Sequence, residues 1–158
     1  MIIPKYSILS SHIVNAGKGV FLAEPAARGS VIVAPDQINN TITHSQFEQL
    51  PGGSLEINSS IRWFERHYTI CPEWTDECYI NHSFSPSGLW HLGFVFAMRD
   101  LAAGSEITMD YRYILGENCQ PEFHDSETGQ DIIGLPWPRV IHDTTRTLLS
   151  LLAAPSAT

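Results

Sequence analysis

At 158 residues and 17.6 kDa, the chain has the length of a single domain with a core of its own, and 43% of its residues are apolar. A net charge of −8 with a pI near 5.2 argues against direct contact with nucleic acid or an anionic membrane surface, and suits a basic peptide or another cationic ligand. The three cysteines, Cys71, Cys78 and Cys119, have neither the number nor the spacing of a disulfide framework or a zinc set, no stretch is apolar enough to span a membrane, and no signal peptide is evident, so a reduced, cytoplasmic protein is expected.

In chain order, residues 5–14 mix Tyr, Ile, Leu and Val with serines and predict a short strand. "NAGKG" at 15–19 is a turn, "VFLA" at 20–23 a second strand, and "SVIVA" at 30–34 a third, after a break at Pro25 to Gly29. "THSQFEQLP" predicts one or two helical turns ended by Pro51-Gly52-Gly53. "LEINSSIRWFERHYTI" fits a helix or a strand pair, and both readings stay open. "ECYI" at 77–80 reads as a strand, and the apolar run 89–99 as one or two strands in which Trp90, Phe94 and Phe96 are core. A turn at Ala103-Gly104 leads into a strand from Glu106 to Met109. Val140, Ile141, Thr144, Leu148 and Leu151 recur at helical spacing and predict a short amphipathic helix over 140–152, followed by a frayed "APSAT". Many short strands, little helix and no βαβ rhythm define a mostly β protein and argue against a doubly wound nucleotide-binding sheet.

An apolar strand end running into Asn81-His82-Ser83 is unusual, and two further stretches give it a context. "GKGVFLAEPAARGSVI", "YINHSFSPS" and "GSEITMDYRY", in this order, resemble the three signature segments of SET-domain lysine methyltransferases. The resemblance covers roughly residues 8–34 and 76–113. It implies a SET-domain fold of small curled β-sheets with a few short helices, closed by a pseudoknot-like crossing of the Asn-His-Ser and Asp-Tyr segments. The whole chain, 1–158, would form one such domain, with a variable insert at about 35–75 and a C-terminal cover at about 114–158.

The resemblance also implies site residues. Gly17, Lys18 and Gly19 form the turn against S-adenosylmethionine, Asn81 meets the amino-acid end of that cofactor, and His82 contributes its backbone. Tyr111 is the expected catalytic residue, acting by orientation and electrostatics rather than as a strong base, and it touches the cofactor as well. Tyr79 is expected beside Tyr111 in the catalytic site, lining the channel or supporting the cofactor. Glu106 and Asp110 are expected to hold loops or pair with backbone N–H groups. Tyr113 is either channel wall or core, and Trp63, Phe64 and Tyr68 fall in the insert, where substrate is recognised. The expected acceptor is a lysine in a basic protein or peptide. A small-molecule acceptor and a catalytically silent binding module are the alternatives, and a homodimer is left open.

The pattern departs from the family in four places. Ser85-Pro86-Ser87 stands where Asn commonly follows the proline, Ser105 replaces an acid, and Met109 takes a position usually aromatic. The cysteine-rich zinc cluster that often follows "D-Y" is missing, because only Cys119 lies in that region. His124, Asp125 and Glu127 read as solvated loop residues, so no metal site is expected, and Phe123, Ile132, Ile133 and Trp137 would cover the channel by packing.

Overall fold

The computed structural model describes residues 1–153; the "APSAT" tail at 154–158 lies outside the described residues. Among the described residues, ten short strands build three small sheets, and three α-helices accompany them. The fold is the mostly β arrangement expected of a SET domain.

In the first sheet β1 (Tyr6–Ser10) pairs antiparallel with β2 (Lys18–Leu22) in the register Tyr6↔Leu22. The predicted 5–14 strand stops at Ser10 because Ser11 turns its hydroxyl to the Glu106 carboxylate, 2.6 Å away. The turn that follows holds Asn15 at φ 64° and Gly17 at φ 73°, a left-handed conformation that favours glycine. The second sheet has the order β3-β9-β8, formed by β3 (Val31–Val33), β8 (Gly88–His91) and β9 (Phe94–Ala97). The apolar run 89–99 is therefore two strands, divided at Leu92-Gly93, both at positive φ as tight hairpins require. Along β9 the inward residues are Val95 and Ala97. Phe94, read as core, is 40% exposed on the opposite face, and Phe96 is half-buried.

The third sheet comes from the insert. β4 (Thr41–Thr43), β5 (Ile61–Phe64) and β6 (His67–Thr69) pair in the order β4-β6-β5. Both readings of 55–70 hold in part: α1 (His44–Phe47) is followed by α2 (Leu55–Asn58), and the β5–β6 hairpin turns at Glu65 with φ 43°. Thr43 and Gln46 close a reciprocal capping box on α1, the predicted helical turn.

The expected strand at 77–80 is not formed. Asp76–Tyr79 is a 3₁₀ turn, and only Asn81–His82 is extended, as β7. Tertiary anchors override the β-favouring side chains here. Asp76 accepts the Tyr6 hydroxyl at 2.6 Å, Glu77 meets the Met1 ammonium at 2.8 Å, and of this stretch only Ile80 is fully buried.

β10 (Glu106–Met109) lies in the first sheet, antiparallel to β2 and parallel to β7. It carries Ile107 into a core shared with Val20, Leu22, Ile32, Trp90, Val95 and Val140. α3 (Trp137–Leu152) starts three residues earlier than the apolar spacing indicates, with Pro138 in its first turn, where no amide partner is lost. It buries Val140, Thr144 and Leu151, leaves Ile141 and Leu148 half-buried, and packs on β8, where the Thr144 hydroxyl lies 2.8 Å from His91 Nδ1. No helix among the described residues is long and apolar enough to cross a membrane.

Candidate active site

The parallel pairing of β7 with β10 sets Thr108 against Asn81 and Met109 against His82. It is the crossing expected of the two polar segments, and three bonds lace it. The Ser83 amide donates to Met109 O at 2.9 Å, the Tyr111 amide to His82 Nδ1 at 3.1 Å, and the Tyr111 hydroxyl to Ile80 O at 2.6 Å. Ser87 and Thr108 exchange amide-to-hydroxyl bonds of 2.9 Å in both directions, and the Ser87 hydroxyl donates to Glu106 O. The serine that departs from the family pattern thus anchors the start of β8 to β10.

On one side of the crossing lies the Gly17–Gly19 turn. Asn81 Nδ2 donates to Lys18 O at 2.8 Å and to Glu106 Oε1 at 3.1 Å. Glu106 also accepts from the Ser11 hydroxyl and, at 3.0 Å, from the His12 amide, so its carboxylate is a structural clamp, as expected. A Cβ on Gly19 would come within 2.2 Å of Glu106 Oε1, whereas one on Gly17 would meet only open space. Close approach at Gly19 and openness at Gly17 make a cradle with a free face. Asn81 Oδ1 takes part in no hydrogen bond among the described residues. The Tyr79 ring lies below Lys18, whose Nζ is 5.5 Å from its centroid, and stands edge-on to Trp74.

On the other side is a cavity of about 540 Å³. Met109, Tyr111, Ile80 and Cys78 line it from the crossing, while Trp63 and Tyr68 line it from the insert. Phe123 reaches it from the C-terminal segment, its ring edge-on to Tyr111 at 6.4 Å. The acidic residues on its walls are Asp36, Glu77 and Glu122, and among the described residues the one cation on them is the Met1 ammonium. Asp36 and Glu77 hold the Met1 ammonium at 2.9 and 2.8 Å. Tyr79, Tyr113 and Phe64 are not on these walls. Tyr113 packs against the core, and Phe64 stacks on His67.

Burial drives the Tyr111 phenol far above its usual pKa, with Cys78 nearby adding to the effect, so the hydroxyl keeps its proton at neutral pH. Asp110 accepts the Arg112 amide and pairs with its guanidinium, and the Arg112 guanidinium lies over the Phe84 ring. This capping and ion-pairing role matches the loop-holding function expected of Asp110.

Asp125 corrects the sequence reading. Rather than being solvated, it is 5% exposed, with Oδ1 3.8 Å from His82 Nε2. Thr128 turns the loop toward it, donating from its amide at 2.7 Å and its hydroxyl at 2.6 Å. Burial alone would raise this carboxyl, but the two Thr128 bonds, helped by His82, hold it below its usual value. The Asp-x-x-Thr turn at 125–128 was the only sequence signal for it, and such turns are common on surfaces. Of the other expected cover residues, Ile132 is 1% exposed, Ile133 is exposed, and Trp137 faces Arg62 away from this cavity. His124 pairs with Asp131 at 2.6 Å.

His82 Nε2 is buried without a hydrogen-bond partner, and burial lowers the His82 pKa against the opposing pull of Asp110 and Asp125. The unfolded chain titrates this residue near pH 6.5, so below about 6.5 it takes up a proton before the folded chain does, and stability is lost as the pH falls. His91, also lowered by burial, has the same sign. Urea midpoints are therefore expected to drop on acidification below about 6.5, and His82→Gln should flatten that slope. An unchanged slope in a folded His82→Gln variant would remove His82 as a source of the effect.

The SET domain model matches residues 17–112, more than half of the chain, and the chain belongs to the SET-domain family. This is a family of S-adenosylmethionine-dependent lysine methyltransferases. Among solved structures, a chain from the structure of ctPRC2 in complex with H3K27me3 and H3K27M shares the fold with a TM-score of 0.57 and 16% identity. The match covers 85% of this chain and 17% of that one, so the present chain spans a small part of its structural neighbour. No curated protein matches it.

Proposed function

We propose that this protein transfers the methyl group of S-adenosylmethionine to the side-chain amine of a lysine in a basic protein or peptide. In this reading the described chain works as one domain, with 35–75 as the substrate-facing insert and the segment after residue 114 as the cover. The observation that carries it is the convergence of Asn81, His82 and Tyr111 on one strand crossing, between a glycine cradle and an acidic cavity.

The residues fit the cofactor on structural grounds. Gly17 turns an open, left-handed backbone face outward, Gly19 lets the Glu106 clamp close against the turn, and Asn81 Oδ1 is an uncommitted acceptor for an ammonium. Bound there, S-adenosylmethionine supplies a methyl group on a positively charged sulfur. Tyr79, beneath Lys18, supports the cradle from below. Tyr111 commits its proton to Ile80 O, which fixes the ring and leaves the phenol oxygen as an acceptor for polarised C–H groups. A protonated phenol is no base, so the lysine gives up its proton to water before it reacts. The Met1 ammonium offsets part of the charge of Asp36 and Glu77, but with Glu122 the walls keep a net negative charge that favours arrival of a cation, and the apolar walls favour its neutral form once inside.

The test is incubation with S-adenosylmethionine and a set of lysine peptides and basic proteins, read by mass spectrometry and by release of the demethylated cofactor. Methylated peptide supports the reading. Turnover only on free lysine or polyamines would make the acceptor a small molecule, and cofactor binding with no turnover on any acceptor would make the protein a binding module.

Met109 lies on the cavity wall beside Tyr111 and is 6% exposed. A thioether holds water poorly and yields to a growing methylamine. The parent is therefore expected to add more than one methyl, and Met109→Tyr to shift the product toward monomethyl-lysine while keeping the first transfer. Overpacking would instead cost about 1–3 kcal/mol of stability and leave the product ratio unchanged, so a melting curve beside the mass spectra decides between them.

A further inference from the structure

Arg62 is a cation in an unusual place. It lies on β5 opposite Tyr68 and is 2% exposed, yet no carboxylate among the described residues lies within ion-pairing distance of it. Its Nη2 donates to Leu135 O at 2.8 Å, and the guanidinium lies 5.7 Å from the Trp137 ring. Nε is buried with no partner. A desolvated guanidinium without a counter-charge is costly, and burial accordingly pulls its pKa down.

This side chain forms part of the wall of a second cavity, about 360 Å³, between the insert hairpin and the start of α3. Arg66, Asn118, Trp137 and Tyr68 share the wall, and Tyr68 also lines the larger cavity. Glu65 and Glu117 reach it too, so two arginines stand beside two glutamates. Such a balance gives little attraction for a polyanion. None of the four is ion-paired among the described residues, but Glu65, Arg66 and Glu117 are exposed to water and Arg62 alone is buried, so the missing counter-charge is a single planar anion set against its guanidinium. The Trp137 and Tyr68 rings offer apolar surface for the rest of such a ligand.

We propose that this cavity binds a small organic monocarboxylate with an apolar body, paired to Arg62. The site is separate from the proposed methyl-transfer centre, but it is wired to it. The Arg62 amide donates to Ile114 O at 2.6 Å, and the Ile114 amide donates to Tyr111 O at 3.0 Å.

Benzoate is the probe, with benzamide as its neutral counterpart and inorganic phosphate as the competing anion. Titration of the isotope-labelled protein, followed at the arginine Nε–H resonances, should show a saturable shift of Arg62 with benzoate. Benzamide should bind about tenfold more weakly or not at all, because it lacks the charge-assisted pair. Equal responses to both, or none to either at millimolar concentration, would overturn the proposal. So would phosphate binding more tightly than benzoate, since the carboxylate class would then be wrong. Glu117→Gln supplies the remaining control. If Glu117 itself swings in as the counter-ion, the Arg62 resonance will move in the ligand-free variant and the proposal falls; a resonance that stays in place supports it. These readouts do not depend on methyl transfer, so they stand or fall apart from it.

Discussion

Tyr111→Phe is expected to slow methyl transfer by roughly 10²-fold while leaving cofactor affinity close to the parent's, the scale seen when one preorganised polar group is removed from a reacting centre. The reason lies in the Tyr111 hydroxyl's bond to Ile80 O. That bond fixes the oxygen at the strand crossing, and phenylalanine keeps the ring but removes the acceptor. An interaction used mainly in the transition state shows up in turnover rather than in binding. Stability should fall by only about 1 kcal/mol, the usual net value of one hydrogen bond. Single-turnover rates with saturating cofactor, together with calorimetric affinities, check both halves. A variant with the parent's single-turnover rate would mean that another group aligns the reaction.

Gly19→Ala should act on the opposite side of the site. Its Cβ would stand 2.2 Å from Glu106 Oε1, 2.8 Å from the carboxyl carbon and 3.3 Å from Asn81 Nδ2. The carboxylate cannot simply swing aside, because Ser11, His12 and Asn81 all hold it. We expect the clamp to open, at a cost of about 1–3 kcal/mol in stability, the scale of overpacking. Affinity for S-adenosylmethionine should drop about tenfold or more, because Asn81 loses its orientation. Melting curves and calorimetry measure the two effects separately. Parental values for both would show that the cradle tolerates a methyl group and that Gly19 is not constrained by close approach.

The parts of this structure legible in the sequence are those with local causes. The bounds of β10 are legible because the Ala103-Gly104 turn precedes it and the Asp110 cap follows it. The α1 helical turn was legible because Thr43 and Gln46 cap it from within three residues. The motif residues pointed to one place because they sit in fixed short strings. What stayed hidden depends on distant partners. Nothing near Cys78 shows that Tyr6 and Met1 will hold a 3₁₀ turn there. Asp125 looks like any polar loop residue until the chain folds back on His82, and Arg62 looks like a solvent-facing strand residue until Trp137 and Leu135 cover it. Alternation along β9 is hidden for another reason: three aromatic or branched residues in a row do not reveal which face is inward.

The parallel pairing of β7 and β10 has a consequence for how the protein is made. The bonds that shape the glycine cradle join residues far apart in the chain, Ser11 to Glu106 across 95 positions and Asn81 to Lys18 across 63. Such closures are slow, since the loop must be ordered before any contact rewards it. A growing chain therefore cannot close the glycine turn against Asn81 and Glu106 until β10 has emerged. On the proposed reading, partly folded forms would not capture the cofactor, so its binding would favour only the finished fold and raise its stability as a whole.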